Sequence, residues 1–240
     1  MSKRAYFGVE GLDRNLEKGL LYGSQIMVEG DSGIGKTVLA GEFIKEGLRC
    51  GDTCIYVACD EPPMAMREHL MNFKVGTFAY EETGRLIFVD AYEEGESLEK
   101  YALSDLRNLD KYFALETEVL RGTAGRRVRL VVDSLSTLFT SIDPPDILDF
   151  HRARIKQLRK KGILAMDIFV SGVLEPKLVT ITGHLYNFML KMSFSGNRHN
   201  PVRLLQIGKV KSQQFVSTRH IFTISPVYGI LVPADTGVIV

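Results

Sequence analysis

Three cysteines in 240 residues are too few, and too odd in number, for a disulfide framework. Cys50, Cys54 and Cys59 fall in or beside one expected strand, where alternating side chains keep them from converging on a metal, so buried reduced thiols are the better reading. No apolar run approaches the roughly 20 residues of a membrane span, and Met1-Ser2-Lys3-Arg4 leads into Ala5-Tyr6-Phe7-Gly8 without the apolar core of a secretion signal. A soluble, cytoplasmic protein with no membrane partner is expected. Excess charge of one sign is missing too: 30 Lys and Arg stand against 29 Asp and Glu, a net charge of +1. Nothing therefore draws the whole chain to nucleic acid or anionic lipid, and any such partner must meet a local patch. Repeats and low-complexity linkers are also absent.

What is present is globular. With 45% hydrophobic and 25% charged residues, the chain can bury a sizeable core as one large α/β domain or two small ones.

The most informative stretch is Gly30-Asp31-Ser32-Gly33-Ile34-Gly35-Lys36-Thr37, which fits G-x-x-x-x-G-K-[ST]. It follows the strand-like Gln25-Ile26-Met27-Val28-Glu29 and precedes the helical Val38-Leu39-Ala40-Gly41-Glu42-Phe43-Ile44, the context the pattern needs. Gly30, Gly33 and Gly35 let the backbone approach an anion, so that successive N–H groups and a helix N-terminus converge on the β- and γ-phosphates of ATP. Lys36 adds a point charge there, and the Thr37 hydroxyl is placed to ligate Mg²⁺. The rival reading is a glycine-rich turn capping an ordinary helix.

Before the loop, residues 6–24 are punctuated by Gly8, Gly11, Gly19 and Gly23; they read as turns, or as a segment that covers the nucleotide or meets a neighbouring subunit. After it, a helix runs to about Arg49 and Thr53 to Cys59 reads as a buried parallel strand, ending at Asp60-Glu61-Pro62-Pro63. Two carboxylates at the carboxyl end of such a strand lie where ligands bind in open α/β sheets. One of them orients or deprotonates an attacking water, or the two form a solvated loop pair. A helix from Met64 to Phe73, a strand from Leu86 to Asp90, the polar stretch Glu93 to Ser97 and a helical pattern through Leu106, Leu109, Phe113 and Leu120 follow.

Val128-Arg129-Leu130-Val131-Val132-Asp133-Ser134 is the second anchor: a central strand that delivers Asp133 to the metal side of the phosphates. From Asp143 to Lys161 the spacing gives a basic helix, which reads as a solvated face because it lacks the interleaved aromatics of a nucleic-acid footprint. Ile163 to Val170 is the next strand, Ser171-Gly172 points to the γ-phosphate region, and Val173 to Gly183 is a loop or short helix. Strand periodicity then covers Leu185 to Phe194, Val202 to Val210, Thr218 to Ser225 and Ile230 to Val232, with turns at Ser195-Gly196-Asn197, Lys211-Ser212-Gln213-Gln214 and Pro226 to Gly229. A parallel core followed by hairpins is expected.

These pieces together resemble KaiC-like ATPases of the RecA/RadA superfamily: Gly8-Val9-Glu10-Gly11-Leu12-Asp13, Gly19, Tyr22-Gly23-Ser24, the phosphate loop, Asp60-Glu61-Pro62, the Leu-Val-Val-Asp-Ser strand and Lys209-Val210-Lys211. The likeness covers nearly the whole chain, with residues 93–127 the least familiar part. It implies a RecA-type α/β P-loop core with a central, mostly parallel twisted sheet between helices and antiparallel C-terminal strands. It implies one domain over residues 1–240: a lead-in at 5–24, a core at 25–194 and a β extension at 195–240. It implies ATP held by residues 30–38, Val38 included, with Mg²⁺ on Thr37 and Asp133, and catalysis by Lys36 with Asp60 or Glu61. It also implies a homo-oligomeric ring or filament in which Lys209 and Lys211 reach a neighbour's nucleotide. The family has a Lys-x-Arg pair there, whereas Lys211 lacks the planar fork of Arg. It has two glutamates where this chain has Asp60-Glu61, and a shorter side chain in the first place implies slow hydrolysis.

A lone domain of this kind is similar to archaeal RadA paralogues, which implies single-stranded DNA binding and assistance to a RadA-type recombinase in recombination and repair. The loops after Ser136 and from Val170 to Gly183, with Lys177 the one basic residue of the second, occupy the positions that meet the strand. Alternatives are a signalling or scaffold ATPase read by protein partners without DNA, and a nucleotide-binding protein that hardly hydrolyses ATP.

Overall fold

The computed structural model describes residues 4–16, 18–93, 97–196, 201–211 and 219–233. The expected polar residues 94–96, the turn residues Asn197 and Ser212 to Gln214, the strand start at Thr218 and residues 234–240 of the extension lie outside these.

The lead-in contains β1 (Arg4–Ala5), α1 (Glu10–Asp13) and β2 (Leu20–Leu21), with β1 antiparallel to β2. Next come β3 (Gln25–Gly30), α2 (Lys36–Arg49), β4 (Thr53–Ala58), α3 (Pro63–Asn72), α4 (Thr77–Glu82), β5 (Leu86–Asp90) and β6 (Tyr101–Ala102). The second half holds α5 (Leu109–Arg121), β7 (Val128–Asp133), a 3₁₀ turn (Thr137–Phe139), α6 (Pro144–Lys160), β8 (Leu164–Val170) and α7 (Pro176–Gly183). It ends with β9 (Phe188–Ser195), β10 (Val202–Val210), β11 (Arg219–Ser225) and β12 (Gly229–Leu231).

Among the described residues ten strands form one sheet in the order β12-β11-β10-β9-β3-β8-β7-β4-β5-β6. Neighbours from β9 to β6 are parallel, and β9 to β12 are antiparallel. The register pairs Gly30 with Val170 and Ala58 with Asp133, so the strands bearing the sequence motifs end at one level on the same edge. This is the α/β architecture expected from sequence, with one difference. β9, read as the first hairpin strand, runs parallel to β3 because α7 returns the chain across the sheet before β9 begins.

The central strands are buried on both faces, which is why they read as continuous apolar runs. Alternate residues feed two cores: Ile26 and Val28 pack with Leu39, Phe43 and Ile44 of α2, and Met27 and Val132 pack with the helices of the other face. Each fully buried Leu, Ile or Phe contributes about 1.5–3 kcal/mol. α2 ends where Gly51 turns at φ +85°, and Cys50, the capping residue between the helix and that turn, is exposed. Burial holds for Cys54 and Cys59 alone, because Cys50 sits past the apolar stripe of the helix. The pattern expected from Leu106 becomes helical at Leu109, where Asn108 accepts a hydrogen bond from the Lys111 amide at 2.9 Å and caps α5.

His151 of α6 is fully buried, with no hydrogen-bond partner on either ring nitrogen, among Phe139, Phe150, Phe169 and Tyr186 at 5.0–6.1 Å between ring centroids. Burial pushes its pKa down to about 3, with the nearby Asp167 opposing and Arg154 assisting. The folded protein thus refuses a proton that the unfolded chain accepts below its ordinary value of 6.5. Stability is complete above that value and falls as pH drops towards 3. Between pH 8 and pH 5 the loss from this group is about 2 kcal/mol. Denaturant titrations of wild type and His151→Leu at both pH values check this, and an equal pH-dependent loss in the variant would refute it.

Candidate functional site

The loop after β3 holds the buried cation of the site. Lys36, 8% exposed, opens α2 and donates from Nζ to the carbonyls of Gly30 at 3.0 Å and Asp31 at 2.7 Å. Burial lowers its pKa, and the charges of Asp133, Asp60 and Asp31 oppose that shift. Gly35 takes φ +111°, and a Cβ there would lie 2.5 Å from Ile224 Cδ1. Gly30 is equally constrained, since a Cβ would come within 2.7 Å of the Met192 carbonyl of β9. Gly35 thus combines a left-handed backbone with close approach, whereas Gly30 is required by close approach alone, and the left-handed backbone at Gly33 (φ +72°) and Gly35 is what an anion cradle uses.

The other loop residues differ in their engagement. Ile34 is buried in the core beneath the loop, and Asp31 Oδ2 accepts from the Phe194 amide at 3.0 Å, tying the loop to β9. Ser32, Gly33, Thr37 and Val38 line a cavity of about 360 Å³ together with Lys36, Tyr56, Asp60, Glu61, Asp133 and Ile224. Ser171 donates its amide to Gly30 at 2.9 Å, which places the end of β8 beside the loop.

Asp133, 4% exposed, ends β7 across β8 from the phosphate loop. Its carboxylate accepts hydrogen bonds from the Thr37 hydroxyl and, at 2.9 Å, from Tyr56. Burial raises its pKa to about 6, which those hydrogen bonds and Lys36 counteract and Asp60 reinforces. Thr37 and Asp133 are thus adjacent hard oxygen donors on the cavity wall, a set that fits Mg²⁺. Asp60 and Glu61 stand on the facing loop after β4, and Thr137 donates to Asp60 Oδ1. The tertiary structure therefore brings Lys36, Thr37, Asp60, Glu61 and Asp133 together.

Lys209 and Lys211 are elsewhere in the same chain. Lys209 pairs with Met189 at the start of β9, the end of the sheet opposite the phosphate loop. Lys209 Nζ donates to the carbonyls of Gly183 at 3.0 Å and His184 at 3.3 Å, and Lys211 Nζ to His184 at 3.0 Å, so both cap the C-terminus of α7. Sequence reasoning missed Tyr56, Thr137 and Ile224. Thr137 had a visible signal, the hydroxyl-rich Ser134-Leu135-Ser136-Thr137 directly after Asp133; Tyr56 and Ile224 had none beyond strand periodicity.

The site can be set beside known proteins. The family described as "ATPase: KaiC" matches residues 6–237. A UPF0273 protein of Pyrococcus horikoshii is 32% identical over 179 residues, 72% of this chain and 70% of that protein. A UPF0273 protein of Thermotoga maritima is 27% identical across 99% of both chains. The crystal structure of a KaiC-like protein from Pyrococcus horikoshii superposes with a TM-score of 0.77 at 20% identity, covering 97% of this chain and 100% of that one, a likeness of fold. With a P-loop core of RecA type and a match over nearly its full length, the chain belongs to the KaiC ATPase family.

Proposed function

We propose that this chain binds ATP with Mg²⁺ and hydrolyses it. The observation that carries the reading is the convergence of Lys36, Thr37, Asp133 and the Asp60–Glu61 pair on one cavity beside a glycine loop. The loop amides and Lys36 hold the β- and γ-phosphates, and residues 30–38 form the cradle. Thr37 and Asp133 hold Mg²⁺, which neutralises charge on the phosphate oxygens. A water attacks the γ-phosphorus, the bond to the β–γ bridging oxygen breaks, and one carboxylate of the acidic pair takes the water proton. The lead-in, core and β extension work as one ATPase unit, a reading supported by the continuous sheet from β12 to β6 and by the packing of Phe7, Leu12 and Leu20 of the lead-in in the same core as Ile26 and Phe43.

Lys209 and Lys211 act, in this reading, on the nucleotide of a neighbouring copy, which their distance from their own loop accommodates. The nucleotide state is then passed to a macromolecule: single-stranded DNA or a RadA-type recombinase in one reading, a protein partner without DNA in the other. Met64 and Met71 on α3 and Phe78 on α4, the two helices that come after the acidic pair in the chain, are 57%, 58% and 72% exposed, which favours a protein surface as the reader.

Phosphate release is the test, measured with and without single-stranded DNA at low and moderate salt. Mg²⁺-dependent release indifferent to DNA assigns the protein-partner reading. Stimulation by DNA that fades with salt assigns the DNA-linked one. Saturable ATP binding with no release would refute hydrolysis.

A further inference from the structure

Thr137 lies between the acidic loop and the end of β8. Its hydroxyl donates to Asp60 Oδ1. Ser134 Oγ lies 2.9 Å from Thr137 Oγ1 and 3.2 Å from Ser136 Oγ, and Ser136 Oγ accepts from the Val170 amide at 3.0 Å. The ends of this chain fix its direction: an amide N–H can only donate, and an ionised carboxylate can only accept. The three hydroxyls must therefore all point their protons towards Asp60, each accepting one bond and donating the next. Such a chain polarises along its length, and every member strengthens its neighbour.

The two ends are held differently. Thr137 opens the 3₁₀ turn whose Leu138 and Phe139 are 3% and 1% exposed, and the Phe139 ring packs at 5.8 Å from Phe150 and 5.0 Å from His151. Asp60 stands on an exposed loop, where its backbone donates to the Asp133 carbonyl at 3.3 Å. The buried turn is the fixed partner and the carboxylate is the group being held. Asp60 lines the same cavity as Lys36 and Asp133, and its charge acts on both.

We propose that Thr137 is a positioning residue for Asp60, and that Asp60 rather than Glu61 takes the proton of the attacking water. This rests on the ATP-hydrolysis reading above. Thr137 holds Oδ1, so the carboxylate presents Oδ2 in one orientation, and the hydroxyl chain ties the end of β4 to the end of β8. The proton passes from water to Oδ2 as the water oxygen bonds to the γ-phosphorus, and ADP leaves with the bridging oxygen.

The experiment measures kcat and KM for ATP, together with direct ATP affinity, in wild type, Thr137→Val, Thr137→Ser, Asp60→Asn, Glu61→Gln and Thr137→Val/Asp60→Asn. Thr137→Val should lower kcat about tenfold with ATP affinity unchanged, because a misaligned base costs turnover and not ground-state binding. Thr137→Ser should restore kcat, since it keeps the hydroxyl. The double variant should be no slower than Asp60→Asn, and Asp60→Asn should lose more kcat than Glu61→Gln. Thermal melting of each variant separates loss of fold from loss of alignment. Wild-type kcat in Thr137→Val, failure of Thr137→Ser to rescue, additive losses in the double variant, or a larger loss in Glu61→Gln would each overturn the assignment. A wild type that binds ATP without releasing phosphate overturns the hydrolysis reading itself, and that outcome is read from the wild-type arm alone.

Discussion

Lys36→Ala is expected to lower phosphate release by about a hundredfold or more, the scale observed when a charge-stabilising group is removed from a water-poor site. Lys36 is the buried cation at the end of the loop, and Asp133, Asp60 and Asp31 all act on it. Without it those carboxylates face an incoming polyphosphate with their charge uncompensated, so affinity for ATP falls along with turnover. Calorimetric titration with ATP and a phosphate-release assay at saturating ATP measure the two losses separately. Unchanged hydrolysis in the variant would remove the assignment of this loop as the nucleotide site.

Arg154→Met is expected to destabilise the fold by about 3–5 kcal/mol, the cost of removing one partner from a buried ionic group. Arg154 is fully buried in α6 and donates from Nε to Glu116 of α5 and from Nη1 to Asp167 of β8, both at 2.7 Å. Tyr112 and Tyr186 donate to the same two carboxylates at 3.0 and 2.7 Å. Removal of the guanidinium leaves two acids facing each other in an apolar layer. Burial already raises the pKa of Glu116, with Arg154 holding it back. At about 2–4 °C per kcal/mol for a chain of this size, melting should drop by roughly 10 °C. A change below about 1 kcal/mol would show that the neighbouring tyrosines suffice to hold the carboxylates.

These two residues were not equally legible in the sequence. Lys36 was, because the phosphate loop is a local device: its glycines, its lysine and its helix start are contiguous, and the backbone conformation they need is written in eight consecutive positions. Asp133 was readable once the loop had been recognised, since a buried strand ending in Asp gains meaning from that context. Arg154 read as one cation on a solvated basic helix. In the folded protein Arg152 stays exposed while Arg154 turns inward, a distinction set by Glu116 of α5 and Asp167 of β8, 38 and 13 residues away along the chain and beyond the reach of helical periodicity.

The sequence by itself determined the α/β class, the phosphate loop and the candidate Mg²⁺ ligands, because apolar periodicity and short glycine-rich motifs act over a few residues. Tertiary structure alone decided that β9 joins the parallel set, that Ile224 covers Gly35 and that Thr137 grips Asp60. It also decided that Lys209 and Lys211 sit at the far end of the sheet. Each of these depends on strand order and register, in which residues distant along the chain meet at hydrogen-bond range. Local propensity carries no record of that pairing.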